Sequence, residues 1–111
     1  MNELNQKSAS ELANLIQSKE VSSKEVVQAH LDRIHEVNPE INAVTVVLEE
    51  SALEMAEKVD SSSADTKDRP FHGVPITIKE NIDFVGTPTT NGLPLLAESM
   101  PPRNAPLVDR M

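Results

Sequence analysis

One stretch of the sequence combines a strand-like alternation with a turn-rich continuation, and it begins Phe71-His72-Gly73-Val74-Pro75-Ile76-Thr77-Ile78-Lys79-Glu80-Asn81-Ile82-Asp83. It continues after two further residues as Gly86-Thr87-Pro88-Thr89-Thr90-Asn91-Gly92 and contains all three glycines of the chain. The apolar side chains of Val74, Ile76 and Ile78 recur at every second position, which predicts a short β-strand with one buried face. Lys79 would then lie on the opposite face.

The same stretch closely resembles the lysine-bearing segment of the amidase signature hydrolases. The segments at 31–43 and 101–111 are also similar to that family, and the resemblance runs from Ser8 to Met111. Members of the family are several times longer than this chain. The resemblance therefore implies an incomplete portion of the amidase signature fold, and we expect residues 1–111 to form a single, truncated amidase-like N-terminal region.

The resemblance also implies a catalytic role for Lys79. In the family, a Ser, cis-Ser, Lys triad hydrolyses carboxamide C–N bonds: one serine attacks the carbonyl, the second relays a proton, and the lysine accepts it. Lys79 matches the lysine of this triad. A lysine that acts as a base must be neutral, so its ordinary pKa of ~10.4 has to be lowered by desolvation or by nearby positive charge.

The nucleophilic and relay serines have no counterpart in this sequence. They would lie in a glycine- and serine-rich segment, whereas no glycine here has a serine beside it. The Ser-x-x-Lys spacing of another common serine–lysine arrangement is absent as well. We therefore predict that the isolated chain is inactive, with Lys79 solvated and charged. The sequence assigns no substrate-binding residue.

Other polar residues have ordinary interpretations. The segment 89–92, Thr-Thr-Asn-Gly, either lines the approach to the site or simply forms a turn. His30 and His35 diverge by about 140° on one helix and cannot share a metal as an i, i+4 pair would. We expect a packing or turn role for His72. No metal site and no cofactor are predicted.

The composition excludes several classes of protein. A net charge of −8 over 111 residues disfavours direct binding to nucleic acid or to anionic membranes. The chain has no cysteine, so disulfides, thiolate metal sites and a cysteine nucleophile are excluded. No secretory signal and no transmembrane segment is recognisable. These features predict a cytoplasmic protein.

Local patterns predict the elements of the fold. Capping boxes at Ser8/Glu11 and Ser22/Glu25 predict one helix over about 9–18 and a second that ends near Val37, before Asn38-Pro39. The remaining predictions are an internal strand at 43–47, a helix at about 48–60, a loop at 61–68 and a helix start at 104–106. We therefore predict an α/β fold, with N-terminal helices packed on the beginning of a mixed β-sheet.

Three functions are compatible with the sequence. The first is hydrolysis of a small carboxamide, active only when the chain is completed. The second is a noncatalytic interaction module or remnant, in which an exposed sheet edge pairs with a protein partner or a second copy. The third is a fragment of the amidase-like subunit of a tRNA-dependent amidotransferase, which acts on glutamine to release ammonia.

Overall fold

The computed structural model describes residues 1–63 and 65–111, and the regular elements among them are helices. The α-helices are α1 (Ala9–Gln17), α2 (Ser23–Ile41), α3 (Glu49–Ser61) and α4 (Pro106–Asp109). Two 3₁₀ helices are present, at Glu3–Gln6 and Pro94–Leu96. The chain divides into two compact units, an N-terminal unit, Met1–Ile76, and a C-terminal unit, Thr77–Met111.

The predicted α/β fold is wrong, because no β-strand occurs in residues 1–63 or 65–111. A strand needs a neighbour to pair with its backbone, and Val44 is instead paired with a side chain. Asn38 donates through Nδ2 to the Val44 carbonyl at 2.8 Å and accepts from the Val44 amide at 2.9 Å. Residues 74–79 are likewise irregular, and Ile76 is 51% exposed rather than buried. Sheet-edge pairing with a partner therefore has no basis in this structure.

The helix starts follow the predicted capping boxes. Ser8 accepts a hydrogen bond from the Glu11 amide, and Ser22 accepts one from the Glu25 amide, while each glutamate side chain reaches back to the serine amide. The end of α2 differs from the prediction, because the helix continues through Pro39 to Ile41. Proline removes only one helical hydrogen bond, and the helix ends where Asn42 adopts a left-handed conformation.

The core of the N-terminal unit lies between α2 and α3. Val27 and Leu31 of α2 are buried with Ala56 of α3, as the apolar stripes of the two helices predict. The helical period also places Met55 on the inner face of α3, but that side chain is 66% exposed. The first 3₁₀ helix is fixed to α2 by Asn5, whose Nδ2 donates to the Ala29 carbonyl at 3.0 Å.

Two further predictions concern a loop at 61–68 and a helix start at 104–106. The predicted loop at 61–68 includes Ala64, which lies outside the described residues; Ser61 belongs to α3. The helix start predicted at 104–106 is confirmed, because α4 begins at Pro106 with Ala105 as its N-cap. No helix in the part of the chain that the structure describes is long and apolar enough to cross a membrane.

The C-terminal unit has no apolar core, since none of its residues, all described, is buried. Hydrogen bonds between distant backbone groups hold it together instead. The Thr89 amide donates to the Ser99 carbonyl at 2.9 Å, and the Ala105 amide donates to the Asp83 carbonyl at 2.9 Å. This unit contains Lys79.

Candidate functional site

Lys79 lies at the first position of a tight turn and is exposed. Its carbonyl accepts a hydrogen bond from the Ile82 amide at 2.9 Å, which closes the turn. The residue that follows it, Glu80, and the residue that follows the turn, Asp83, are both partly buried. The lysine side chain therefore projects from a hydrogen-bonded turn whose acidic neighbours are directed elsewhere in the unit.

Two threonines hold those acidic neighbours. The Thr90 hydroxyl donates to Glu80 Oε2 at 2.5 Å, and the Thr89 hydroxyl donates to Asp83 Oδ1 at 2.6 Å. Hydrogen bonds to ionised carboxylates are shorter and stronger than those between neutral groups. Glu80 and Asp83 therefore tie the turn that carries Lys79 to two consecutive threonines, Thr90 and Thr89.

The segment 89–92, for which the sequence left two interpretations, forms a second turn. The Leu93 amide donates to the Thr90 carbonyl at 2.8 Å, and the central residues Asn91 and Gly92 have φ of 49° and 73°. Positive φ at both central positions is typical of a type I′ turn with the sequence Asn-Gly. The Gly92 amide also donates to the Thr90 hydroxyl at 3.1 Å. A role in lining the approach to a site stays a prediction.

Asn104 connects this region to the start of α4. Its Oδ1 accepts from the Val85 amide at 2.8 Å, while its Nδ2 donates to Asp109 Oδ1 at 2.9 Å. The neighbouring Ala105 amide bonds the Asp83 carbonyl. Asp83 is therefore held through its side chain and through its backbone.

In the N-terminal unit, Ser23 is a buried polar residue, with 1% of its surface exposed. Its hydroxyl donates to the Gly73 carbonyl at 2.7 Å. Its amide donates to Asp60 Oδ1 at 2.7 Å, and the Lys24 amide donates to the other oxygen of the same carboxylate at 3.0 Å. With the capping box, these bonds satisfy every backbone amide of the first turn of α2. Ser23 is committed to structure and is not available as a nucleophile.

The histidines show no shared site. His30 contacts the Val26 carbonyl through Nδ1 at 2.8 Å, and His35 Nε2 lies 3.2 Å from Glu49. The His72 amide donates to the Arg69 carbonyl at 3.1 Å, which places His72 in a turn, while its buried Nε2 has no hydrogen-bond partner among the described residues. Within residues 1–63 and 65–111, no group of three or more His, Asp or Glu side chains is arranged to hold a metal ion.

A hollow of about 300 Å³ lies at the C-terminal end of α2. Two of its polar side chains already have partners, since Asn38 is bonded to Val44 and His35 pairs with Glu49. A binding site normally offers a few polar groups that converge on the ligand. The residues around the hollow are Ile34, His35, Asn38, Pro39, Asn42 and Val47. We do not assign it a function.

Four glutamates of the N-terminal unit have pKa values below the ordinary value of 4.5. Hydrogen bonds from the Ser8 amide and hydroxyl lower the pKa of Glu11, and those from Ser22 lower the pKa of Glu25 in the same way. The other two, Glu36 and Glu57, are hydrogen-bonded to Arg33 and Lys24 respectively. These shifts mark surface caps and ion pairs and not a catalytic site.

Comparison with known proteins decides the family. The family model described as Amidase matches residues 25–111, which include Lys79 and both turns. The chain belongs to the amidase family. The resemblance seen in the sequence is therefore confirmed.

The amidase-family chain is similar over nearly its whole length to longer proteins. It is 45% identical over 102 residues to an indoleacetamide hydrolase of Bradyrhizobium diazoefficiens, which covers 91% of this chain and 20% of the relative. It is 41% identical over 112 residues to the A subunit of the glutamyl-tRNA(Gln) amidotransferase of Salinispora tropica, covering 100% of this chain and 23% of the relative. The corresponding subunit of Caldanaerobacter subterraneus is 39% identical over 101 residues, which cover 91% of this chain and 21% of the relative. The chain thus spans about a fifth of the length of these relatives.

Proposed function

We propose that this chain contributes Lys79 as the proton-accepting residue of a Ser, cis-Ser, Lys triad that hydrolyses a carboxamide C–N bond. The observation that carries the proposal is the family match across residues 25–111, which includes the lysine segment. In such a triad the nucleophilic serine loses its proton through the relay serine to the lysine as it attacks the carbonyl. The proton then passes to the departing amine, and water releases the acyl group.

The two serines, in this proposal, come from polypeptide outside these 111 residues. The only serine of the C-terminal unit is Ser99, whose carbonyl is engaged by the Thr89 amide. A lysine base works in a site that excludes water, and Lys79 is exposed. We therefore expect the isolated chain to be inactive. The chemistry requires acids and bases only, so the proposal includes no metal and no cofactor.

A small carboxamide is the proposed substrate class. One similar protein is an indoleacetamide hydrolase, a name that specifies a small carboxamide substrate. A second candidate role, as part of the A subunit of an amidotransferase that works with protein partners, is favoured by matches that extend over 100% of this chain. The net charge of −8 supports neither direct contact with nucleic acid nor an anionic membrane surface. A cytoplasmic location fits either role.

A hybrid enzyme tests the proposal. The chain replaces the matched segment of the Bradyrhizobium indoleacetamide hydrolase, and release of ammonia from indoleacetamide is measured. Lys79→Ala should abolish turnover, while Lys67→Ala, at a lysine whose side chain is 87% exposed, should not. A folded hybrid that is inactive would contradict the proposed substrate class, and a hybrid that works without Lys79 would contradict the catalytic role of the lysine.

Two further measurements separate the alternatives. The same segment exchanged into the A subunit of an amidotransferase, with release of ammonia from glutamine as the assay, tests the second role. If only that hybrid is active, the amidotransferase role is favoured over the hydrolase. Turnover by the isolated chain, lost in Lys79→Ala, would show that no other polypeptide is needed.

A further inference from the structure

We infer that Thr90 and Thr89, acting through Glu80 and Asp83, are positioning residues that fix the turn carrying Lys79. The inference rests on the proposed role of Lys79 and extends it to residues that act through the turn on which the lysine lies. Its basis is the pair of short hydrogen bonds at 2.5 and 2.6 Å that join two consecutive threonines to Glu80, inside the turn, and to Asp83, directly after it.

The turn depends on these bonds because its unit has no apolar core. No residue of the C-terminal unit is buried, so side-chain packing contributes little to holding the backbone at 79–82. A single backbone hydrogen bond, from the Ile82 amide to the Lys79 carbonyl, closes the turn. In water, a hydrogen bond between neutral groups contributes less to stability than a hydrogen bond to a charged group.

The geometry at Thr90 also defines the direction of its bond. A threonine hydroxyl has one proton to donate, and Thr90 donates it to Glu80 while accepting from the Gly92 amide. The turn at 90–93, with Asn91 and Gly92 at positive φ, holds the Thr90 backbone. The second turn and Thr89, the residue before it, therefore serve as the anchor, and the two carboxylates attach the lysine turn to them.

A fixed turn limits the positions that the side-chain nitrogen of Lys79 can reach. With its backbone fixed, Lys79 samples only its own side-chain rotamers; with a loose backbone it samples many more positions. Proton transfer requires the base within hydrogen-bond distance of the relay group. A misplacement of about 1 Å can reduce turnover by about 100-fold without changing how substrate binds. Loss of the threonine bonds should therefore lower kcat and leave KM nearly unchanged.

The first test uses the full 111-residue chain alone. NMR relaxation measures the order of the backbone amides at 79–83 in Thr90→Val, which keeps the shape but removes the hydroxyl, and in Thr90→Ser, which keeps the hydroxyl. Thr87→Val is the matched control, because the Thr87 hydroxyl bonds the Phe84 carbonyl and not the lysine turn. We expect disorder at 79–83 only in Thr90→Val. An unchanged turn in Thr90→Val, or a turn already mobile in the parent chain, would overturn the inference.

The second test uses the hybrid hydrolase. Thr90→Val should reduce kcat by about 10- to 100-fold with KM within about two-fold, and Thr90→Ser should restore most of it. If Lys79→Ala abolishes activity but Thr90→Val does not reduce kcat, the positioning role is wrong and the catalytic role of Lys79 stands. If Lys79→Ala leaves activity intact, the proposed function fails, and the positioning role fails with it. The NMR result then still shows whether the threonines hold the turn.

Discussion

Asp60, near the end of α3, binds the backbone amide of Ser23, 37 residues earlier, at 2.7 Å. The second oxygen of the carboxylate accepts a hydrogen bond from the Lys24 amide. One side chain outside α2 therefore caps the start of that helix. A carboxylate at a helix N-terminus also interacts favourably with the helix dipole. This contact joins the two helices that form the core of the N-terminal unit.

Replacing Asp60 should therefore destabilise the N-terminal unit. Asp60→Ala leaves two first-turn amides without their acceptor and should lower the free energy of unfolding by about 1 to 2 kcal/mol. Asp60→Asn keeps one acceptor oxygen and should cost less. Urea unfolding followed by circular dichroism measures both. The exposed Asp68 provides the control, and equal effects for Asp60→Ala and Asp68→Ala would disprove the cap.

Gly73 should not tolerate a side chain. Its φ is +88°, and a Cβ there would lie 3.0 Å from Val59 Cγ1 and 3.1 Å from the Ser23 hydroxyl. Gly73→Ala should lower the free energy of unfolding by about 1 to 3 kcal/mol through strain and overpacking. The steric part can be isolated in a double-mutant cycle, because Val59→Ala removes the closest atom. The penalty of Gly73→Ala should be smaller in that background, and equal penalties in both backgrounds would argue against the contact.

The capping-box glutamates predict how stability depends on pH. Folding lowers the pKa of Glu11 and Glu25 below 4.5, because the ionised carboxylates accept hydrogen bonds from Ser8 and Ser22. Their stabilisation is therefore complete above pH 4.5 and is lost as the pH falls through the lowered folded-state pKa. Unfolding free energies measured from neutral to acidic pH should show this loss. In a chain carrying Glu11→Gln and Glu25→Gln, the free energy of unfolding should fall less as the pH becomes acidic. An equal fall in this variant and in the parent chain would show that the two glutamates are not its cause.

Local sequence patterns predicted the starts of α1 and α2 and part of the buried face of α2 correctly. Ser8 and Ser22 begin helices as their spacing to glutamate requires, and the α2 stripe that includes Val27 is buried. These features depend on residues within one or two helical turns, so the sequence alone contains the information. The lysine segment identified the family for the same reason, because its motif is contiguous.

Features that depend on distant residues were not predicted. The bond between Asp60 and Ser23 joins two helices, and no pattern in either helix indicates it. The strands expected at 43–47 and 74–79 have no partner strand among the described residues, and β-branched composition alone cannot supply one. In the candidate site, the sequence singled out Lys79 but did not predict the hydrogen bond from Thr90 to Glu80. These two residues are ten positions apart and meet only because each lies in a turn.

Asn38 should protect the strand-prone segment at 43–47 from self-association. The nitrogen and the oxygen of its side-chain amide bond the carbonyl and the amide of Val44, at 2.8 and 2.9 Å. They therefore occupy the backbone acceptor and donor that an added strand would use. Val46 and Val47 beside it are 43% and 37% exposed. Asn38→Ala frees the Val44 backbone next to these apolar side chains. We expect that variant to elute at larger apparent size as its concentration rises, while the parent chain changes less.

The matched control for Asn38 is Asn42→Gly. Asn42 ends α2 in the left-handed conformation, with φ of 47°, which glycine adopts without strain. This change leaves both bonds between Asn38 and Val44 in place, so it should not promote association. Asn38→Asp keeps the acceptor and loses the donor, and its association should be intermediate. If Asn38→Ala and Asn42→Gly behave alike in size-exclusion chromatography, the Val44 backbone is not the group that Asn38 protects.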